Sequence, residues 1–208
     1  MIKLCAFDFD STLMDGETID ILAEAYGVGD EVKEITHKTM NGEFDFFESL
    51  SKRVSLLKGM PYEKLVEISK NLPIMNGAVE LIKYLKSKDI KVIVFSGGFH
   101  EGIDPAMEKL NFDLGFANYL HRKNGFLTGL VAGEMMFGNS KGLMLKRLKN
   151  FLNLKTEEVM CVGDGANDLA MFEQSGLKIA FCAKEILRLE ADFCIDTKDL
   201  SQIIKVVK

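Results

Sequence analysis

Short apolar runs recur along the chain at residues 2–9, 90–96, 159–163 and 177–181, with a weaker one at 193–195. Each is too short for a buried helix, and several are rich in β-branched residues, so they predict buried strands. Between them the apolar positions return at helical spacing. Val79, Ile82 and Leu85 do so within 77–88, and Leu145, Leu148 and Leu152 within 141–152. A last helical stretch, 200–207, closes the pattern. Strand alternating with helix predicts βαβ units and hence an α/β fold around a doubly wound, Rossmann-like parallel sheet.

Two segments break this rhythm. Residues 14–73 carry no strand signal and read as helices over about 17–26, 30–40, 44–57 and 62–71, punctuated by Gly27, Gly29, Gly42, Gly59 and Pro61. Some sixty helical residues exceed what a βα connection needs, so they predict an inserted helical cap on a core made of 1–13 and 74–208. The second break is 117–133, where Asn124-Gly125 lies between Tyr119-Leu120-His121 and Phe126-Leu127-Thr128, the signature of a small β-hairpin insertion.

The composition narrows the possibilities. The 208 residues are 47% hydrophobic and 27% charged, which excludes wholesale disorder, and a chain of this length can bury a core without staples. A net charge of −5 argues against a general nucleic-acid or anionic-membrane surface. No apolar run nears a membrane span, and the apolar start breaks at Asp8 too soon for a signal peptide, so a cytoplasmic location is expected. Cys5, Cys161, Cys182 and Cys194 form no Cys-x-x-Cys and lie in apolar runs, which predicts buried, reduced thiols. His37, His100 and His121 make no spacing motif and read as surface or loop residues.

Chemistry concentrates at the strand ends. Asp8 and Asp10 end an otherwise apolar strand, and ligands bind beyond the carboxyl ends of parallel strands. One acid could be a helix cap and the other a solvated loop acid, but a pair so close to a buried strand is costly without a cation or partner. Gly163-Asp164-Gly165-Ala166-Asn167-Asp168 ends another strand; alone it is a turn, but beside Asp8 it offers Asp164 as a second oxygen ligand for a hard divalent cation such as magnesium. Ser96-Gly97-Gly98 is either a turn or a loop whose amides can approach an anion. Lys141 falls near the start of a helix, where the dipole disfavours a cation. Together these groups make a phosphoryl-transfer kit. In the cap, Phe46, Leu50, Arg53 and Leu57 follow helical spacing, which places Arg53 on an otherwise apolar stripe, either snorkelling at its edge or aimed into a cleft.

The order and content of these motifs resemble a known family. Asp8-Phe9-Asp10-Ser11-Thr12 resembles the Asp-x-Asp-x-Thr signature of the haloacid dehalogenase superfamily, and Ser96, Lys141 and the segment 163–168 resemble its other motifs in order. Glu17-Thr18-Ile19-Asp20, Arg53-Val54-Ser55-Leu56-Leu57 and Ser96-Gly97-Gly98-Phe99 are similar to the phosphoserine phosphatase family within it, across essentially the whole chain.

The resemblance implies a magnesium-dependent phosphatase that hydrolyses O-phospho-L-serine to serine and phosphate, the last step of serine biosynthesis. Asp8 would be the nucleophile that becomes an aspartyl-phosphate. Asp10 would be the acid for the leaving serine and then the base for water, which requires it to hold a proton that Asp8 does not. Magnesium would be held by the carboxylates of Asp8 and Asp164 and the backbone carbonyl of Asp10. Ser96, Gly97 and Lys141 would hold the phosphoryl group, with Asn167 at the substrate and, with Asp168, around the metal. Glu17 would pair with the substrate ammonium, Arg53 with its carboxylate, and Met40 and Phe46 would cover it; without the resemblance, Glu17 is equally a first-turn acid and the other two are core residues. The partner is a small molecule, with no nucleic acid or membrane, and the chain is a monomer or homodimer. A phosphotransferase passing the phosphoryl group to homoserine, or a phosphatase for another small ester, shares the same motifs. A signalling receiver domain also uses a phospho-accepting Asp but carries it on a middle strand and has no place for the cap, and a silent binding module would lack Asp8 or Asp10.

Overall fold

The computed structural model describes residues 1–207. Strands β1 (Leu4–Asp8), β2 (Lys91–Phe99), β3 (Leu114–Lys123), β4 (Phe126–Gly133), β5 (Val159–Gly163), β6 (Leu177–Phe181) and β7 (Phe193–Ile195) form one sheet in the order β4-β3-β2-β1-β5-β6-β7. All neighbours are parallel except β3 and β4. The order reverses at β1, whose flanking strands β2 and β5 follow it on opposite sides, so a crevice opens beyond the carboxyl ends of these three strands.

Alternation in the central strands fills both faces. Cys5, Phe7, Val92, Val94, Met160 and Val162 pack in one cluster, which includes Leu81, Ile82 and Leu85 of helix α5 (Ala78–Ser87). Their neighbours Leu4, Ala6, Ile93, Phe95, Val159 and Cys161 pack in another, with Leu145 of the helix over Ser140–Phe151. Fully burying each such side chain is worth about 1.5–3 kcal/mol, and this two-sided burial is why β1 reads as a continuous apolar run until Asp8.

After β1 the chain makes a widened turn over Phe9–Leu13 and enters four helices: α1 (Thr18–Tyr26), α2 (Gly29–Met40), α3 (Phe46–Ser55) and α4 (Tyr62–Lys70). Asp45 and Glu48 form a reciprocal capping box that starts α3. Leu22, Val32, Leu50, Val54, Leu57 and Leu65 build a separate cluster that also takes in Phe99, Leu120 and Leu127, so the helices are seated on the end of β2 and on the hairpin. Asn124 and Gly125 both have positive φ, 52° and 81°, as the hairpin turn requires. The first hairpin strand, β3, starts before the Asn-Gly signal indicates and joins the sheet beside β2.

Helix α6 (His100–Leu110), which the apolar pattern leaves unmarked because Gly102 and Pro105 interrupt it, buries Ile103, Ala106 and Leu110. The later helices are α7 (Ser140–Phe151), α8 (Leu169–Phe172) and α9 (Glu185–Arg188), and the closing stretch is a 3₁₀ turn over Leu200–Lys205. All four thiols are free, and Cys5 and Cys161 are buried as expected. Cys182 is only half-buried and Cys194 is exposed, because β7 is a three-residue edge strand with little packed over it. His37 and His121 are exposed, while His100 stacks on Tyr119 at 4.2 Å and accepts from the Ala117 amide at 3.3 Å, joining α6 to β3. Among the described residues no helix is long and apolar enough to cross a membrane.

Candidate active site

The crevice at the ends of β1, β2 and β5 holds a network of buried charges. Asp8, the last residue of β1, accepts at Oδ1 from the Phe9 amide at 2.7 Å and from Lys141 Nζ at 2.6 Å. Lys141 also donates to Asp168 Oδ1 at 2.6 Å. Asp168 Oδ2 accepts from the amides of Asp164 and Gly165 at 3.0 and 3.1 Å, fixing the loop after β5. Lys141, buried in the first turn of α7, is therefore placed by two carboxylates against the helix dipole. Burial pulls its ammonium down, but Asp168 and Asp8 together hold it above the usual lysine range.

Asp8 is raised well above the carboxylate range by burial first, then by Asp168, with Lys141 opposing. Asp164 is pushed up to about 6 by burial and then by Asp168. Crowded carboxylates with lifted pKa values are what a divalent cation relieves. Asp8, Asp164 and Asp168 each offer an oxygen within 4.8 Å of the others. Both oxygens of Asp168 are already engaged, by Lys141 and by the amides of the loop after β5. Asp8 and Asp164 are thus the better donors, and their all-oxygen chemistry fits magnesium.

Asp10, in the widened turn, is gripped from two sides. Oδ1 accepts from the Thr18 amide at 2.7 Å and from its hydroxyl at 2.6 Å; Oδ2 accepts from Ser96 Oγ at 2.8 Å. Ser96, three residues before the end of β2, in turn accepts from the Gly98 amide at 2.9 Å. Ser11 occupies the left-handed region at φ +57°, a conformation unusual for a non-glycine residue, and its hydroxyl donates to Glu17 Oε1 at 2.8 Å. Glu17 faces the crevice, and its carboxyl is pushed up to about 7, by desolvation first and then by Asp10.

The cap closes these groups into a cavity of about 540 Å³, lined among others by Asp8, Asp10, Glu17, Arg53, Gly97 and Asn167. Arg53 is half-buried, its Nε donating to the Ser49 carbonyl at 3.4 Å. Burial lowers its pKa while Glu17 and Asp20 raise it. Phe46 leans over Gly97 so closely that a Cβ there would lie 2.9 Å from its ring, which gives this glycine a steric reason. Met40, the last residue of α2, is 71% exposed at the cavity wall, so it belongs to the rim.

The model of the haloacid dehalogenase-like hydrolases matches residues 2–176. A phosphoserine phosphatase of Campylobacter jejuni subsp. doylei is 73% identical over 207 residues and all of both chains. The chain belongs to the phosphoserine phosphatase family of haloacid dehalogenase-like hydrolases. Its Methanocaldococcus jannaschii relative, also a phosphoserine phosphatase, is 48% identical over 99% of this chain and 98% of its own. Two solved structures, a phospho-aspartyl intermediate analogue of phosphoserine phosphatase and a substrate-bound phosphoserine phosphatase complex, each superpose with a TM-score of 0.94 at 48% identity, covering all of this chain and 99% of theirs.

In this haloacid dehalogenase-like hydrolase the strand-end motifs and the cap residues meet in one place. Asp8, Asp10, Ser96, Lys141 and Asp164 share the floor, and Glu17, Arg53, Phe46, Met40 and Asn167 line the walls. Three contributors carry no signal in the strand-end pattern. Thr18 is simply the residue after Glu17, yet it holds Asp10. Asp20 lines the cavity with a buried, unpartnered Oδ1. Lys184 follows β6, its amide donating to the Asp164 carbonyl at 2.8 Å and its side chain lining the cavity. The rule that ligands sit beyond parallel strand ends could have found Lys184.

Proposed function

We infer that this chain hydrolyses O-phospho-L-serine to L-serine and phosphate through a phosphoryl group carried transiently on Asp8. One observation carries this reading. A single cavity has a buried acid–lysine floor suited to a phosphoryl group, with a guanidinium and a carboxylate on its walls suited to the two charges of an amino acid.

Asp8 attacks phosphorus, the bond from phosphorus to the serine oxygen breaks, and Asp10 delivers the proton that the departing alkoxide needs. Water then attacks the phosphoryl group, Asp10 takes its proton, and the Asp8 carboxylate is regenerated. The 2.8 Å contact between Asp10 Oδ2 and Ser96 Oγ accommodates both states, because either oxygen can be the donor across it. Lys141 holds Asp8 in place and offsets charge gathering on the phosphoryl oxygens, where the Ser96 hydroxyl and the Gly97 amide also converge. The carboxylates of Asp8 and Asp164 and the backbone carbonyl of Asp10 would hold magnesium, which would supply charge neutralisation for the phosphoryl group. Asn167 and Asp168 shape its surroundings. Arg53 receives the substrate carboxylate and Glu17 its ammonium, while Phe46 and Met40 cover the bound amino acid. Residues 14–73 act as the specificity cap on a core of 1–13 and 74–208. The reading carries with it the last step of serine biosynthesis and a cytoplasmic location.

The test is phosphate release from O-phospho-L-serine with and without magnesium, with homoserine added in parallel. Magnesium-dependent release that homoserine leaves undiverted, and that Asp8→Asn abolishes, is the expected result. Formation of phosphohomoserine would make the chain a phosphotransferase. Activity confined to other esters would sink the roles given to Arg53 and Glu17.

A further inference from the structure

Asp10 is held from the cap side. Thr18 opens α1, and its amide and hydroxyl both donate to Asp10 Oδ1, at 2.7 and 2.6 Å. The residue is 1% exposed, and its methyl faces Gly102, where a built Cβ would lie 3.4 Å from Thr18 Cγ2. Packing alone does not ask for a hydroxyl here, since valine has the same branched shape. The hydroxyl is accounted for by Asp10.

The consequence is an inequality between the two oxygens of Asp10. Oδ1 is occupied twice, whereas Oδ2 meets only the Ser96 hydroxyl, which can reverse its donation. Proton exchange therefore falls to Oδ2. Without the Thr18 hydroxyl, one donor remains on each side of the carboxylate, and the ring of contacts that orients it is weakened. A small misplacement of an acid–base group is costly to the chemical step. Glu17, the residue facing the substrate ammonium, is one peptide bond from Thr18.

We propose that Thr18 is a positioning residue for Asp10, its hydroxyl fixing which carboxylate oxygen serves proton transfer. The inference rests on the reaction argued above and assigns a residue that the reaction alone does not require.

Thr18→Val keeps the shape and removes the donor, and Thr18→Ser keeps the donor. Both are compared with the unaltered chain for kcat and KM on O-phospho-L-serine, with thermal unfolding recorded alongside. For Thr18→Val, kcat is expected to fall by about tenfold or more, the worth of one hydrogen bond to a charged group, while KM stays within about threefold. Thr18→Ser is expected to recover most of kcat. The inference is overturned if Thr18→Val keeps kcat within about twofold of the unaltered chain, or if Thr18→Ser is as slow as Thr18→Val. Should Thr18→Val not fold, Thr18→Ala read against Thr18→Ser makes the same comparison. An unaltered chain silent toward phosphoserine overturns the functional reading and this inference with it, whereas an active one with an unaffected Thr18→Val overturns the inference alone.

Discussion

Replacing Lys141 with methionine tests the buried charge network directly. The Lys141 side chain is 3% exposed and meets Asp8 and Asp168, 5% and 0% exposed, each at 2.6 Å. Methionine fills similar space but leaves two buried carboxylates without their shared cation. Removing one partner of a buried ion pair costs about 3–5 kcal/mol. At about 2–4 °C per kcal/mol for a chain of this size, the melting temperature should fall by about 6–20 °C near neutral pH.

The deficit has a pH signature. Lys141 lowers the pKa of Asp8 against burial and Asp168, so its loss lifts Asp8 further. A carboxyl raised in the folded state contributes stability that is present below its unfolded pKa and lost as pH rises through the folded one. The gap between Lys141→Met and the unaltered chain should therefore be smaller at low pH, where Asp8 is protonated in both chains, and widen once pH passes the raised pKa that Asp8 has in the unaltered fold. Thermal unfolding in metal-free buffer across that range is the assay, with phosphoserine turnover expected to fall by about a hundredfold or more. Equal melting temperatures near neutral pH, or a gap that widens toward acid, would refute the reasoning.

Other perturbations follow the same logic. In metal-free buffer, Asp164→Asn should stabilise the fold at about pH 8 by up to about 3 kcal/mol, because a carboxyl lifted to about 6 costs stability once it ionises. Urea unfolding should show that gain shrinking toward about pH 4, and a gain independent of pH would contradict it. Gly142→Ala places a Cβ 2.2 Å from the Ala170 carbonyl oxygen where α7 meets α8, and overpacking of this kind should cost about 1–3 kcal/mol or more by denaturant titration. A thiol reagent should label Cys194 in the folded protein but reach Cys5 and Cys161 only on unfolding, since both are buried and desolvation pushes the Cys161 thiol up to about 12.

Legibility in the sequence follows the physics of each element. Asp8 stands out because a carboxylate at the end of a two-sided buried strand has few reasons to be there, and Asp164 repeats the anomaly two strands later in the chain's pattern. The strands over 159–163, 177–181 and 193–195 match the observed bounds because each is a short apolar run bracketed by polar or glycine residues. Arg53 stands out only as a break in the Phe46–Leu57 stripe. Thr18 leaves no trace in the periodic pattern and stands in the sequence only as part of the Glu17–Asp20 segment that resembles the family, since a threonine at the start of a helix is ordinary and its partner Asp10 is placed by the widened turn at Phe9–Leu13, a feature periodicity does not report. Helix α6 is hidden for the opposite reason: Gly102 and Pro105 weaken its signal, while Ile103, Ala106 and Leu110 pack it against the sheet.

The hairpin and the cap, which look independent in the sequence, are tied together in the fold, and this bears on how substrate length is measured. The Gly59 amide donates to the Leu127 carbonyl at 2.8 Å, Leu127 donates to Met60 at 2.9 Å, and Tyr62 donates to Gly125 at 2.9 Å. The Arg122 guanidinium lies 3.8 Å over the Tyr62 ring. Swinging the cap away as one body would break these backbone bonds, at about 0.5–1.5 kcal/mol each, and expose Met60 and Leu127, at about 1.5–3 kcal/mol each. The sum, about 5–10 kcal/mol, exceeds the few kcal/mol that separate open and closed states of an ordinary lid. The end of α3 near the hairpin is therefore anchored, and Arg53 stands on that end, two residues before Ser55. At the other margin Met40, which closes α2, is exposed, whereas Phe46, which opens α3, leans over Gly97, and Phe47 stacks on Phe137 at 5.6 Å. Arg53 and Asp8 thus line one cavity, with Arg53 on an anchored post, and under the function proposed above the distance between them would gauge the span from phosphate to carboxylate.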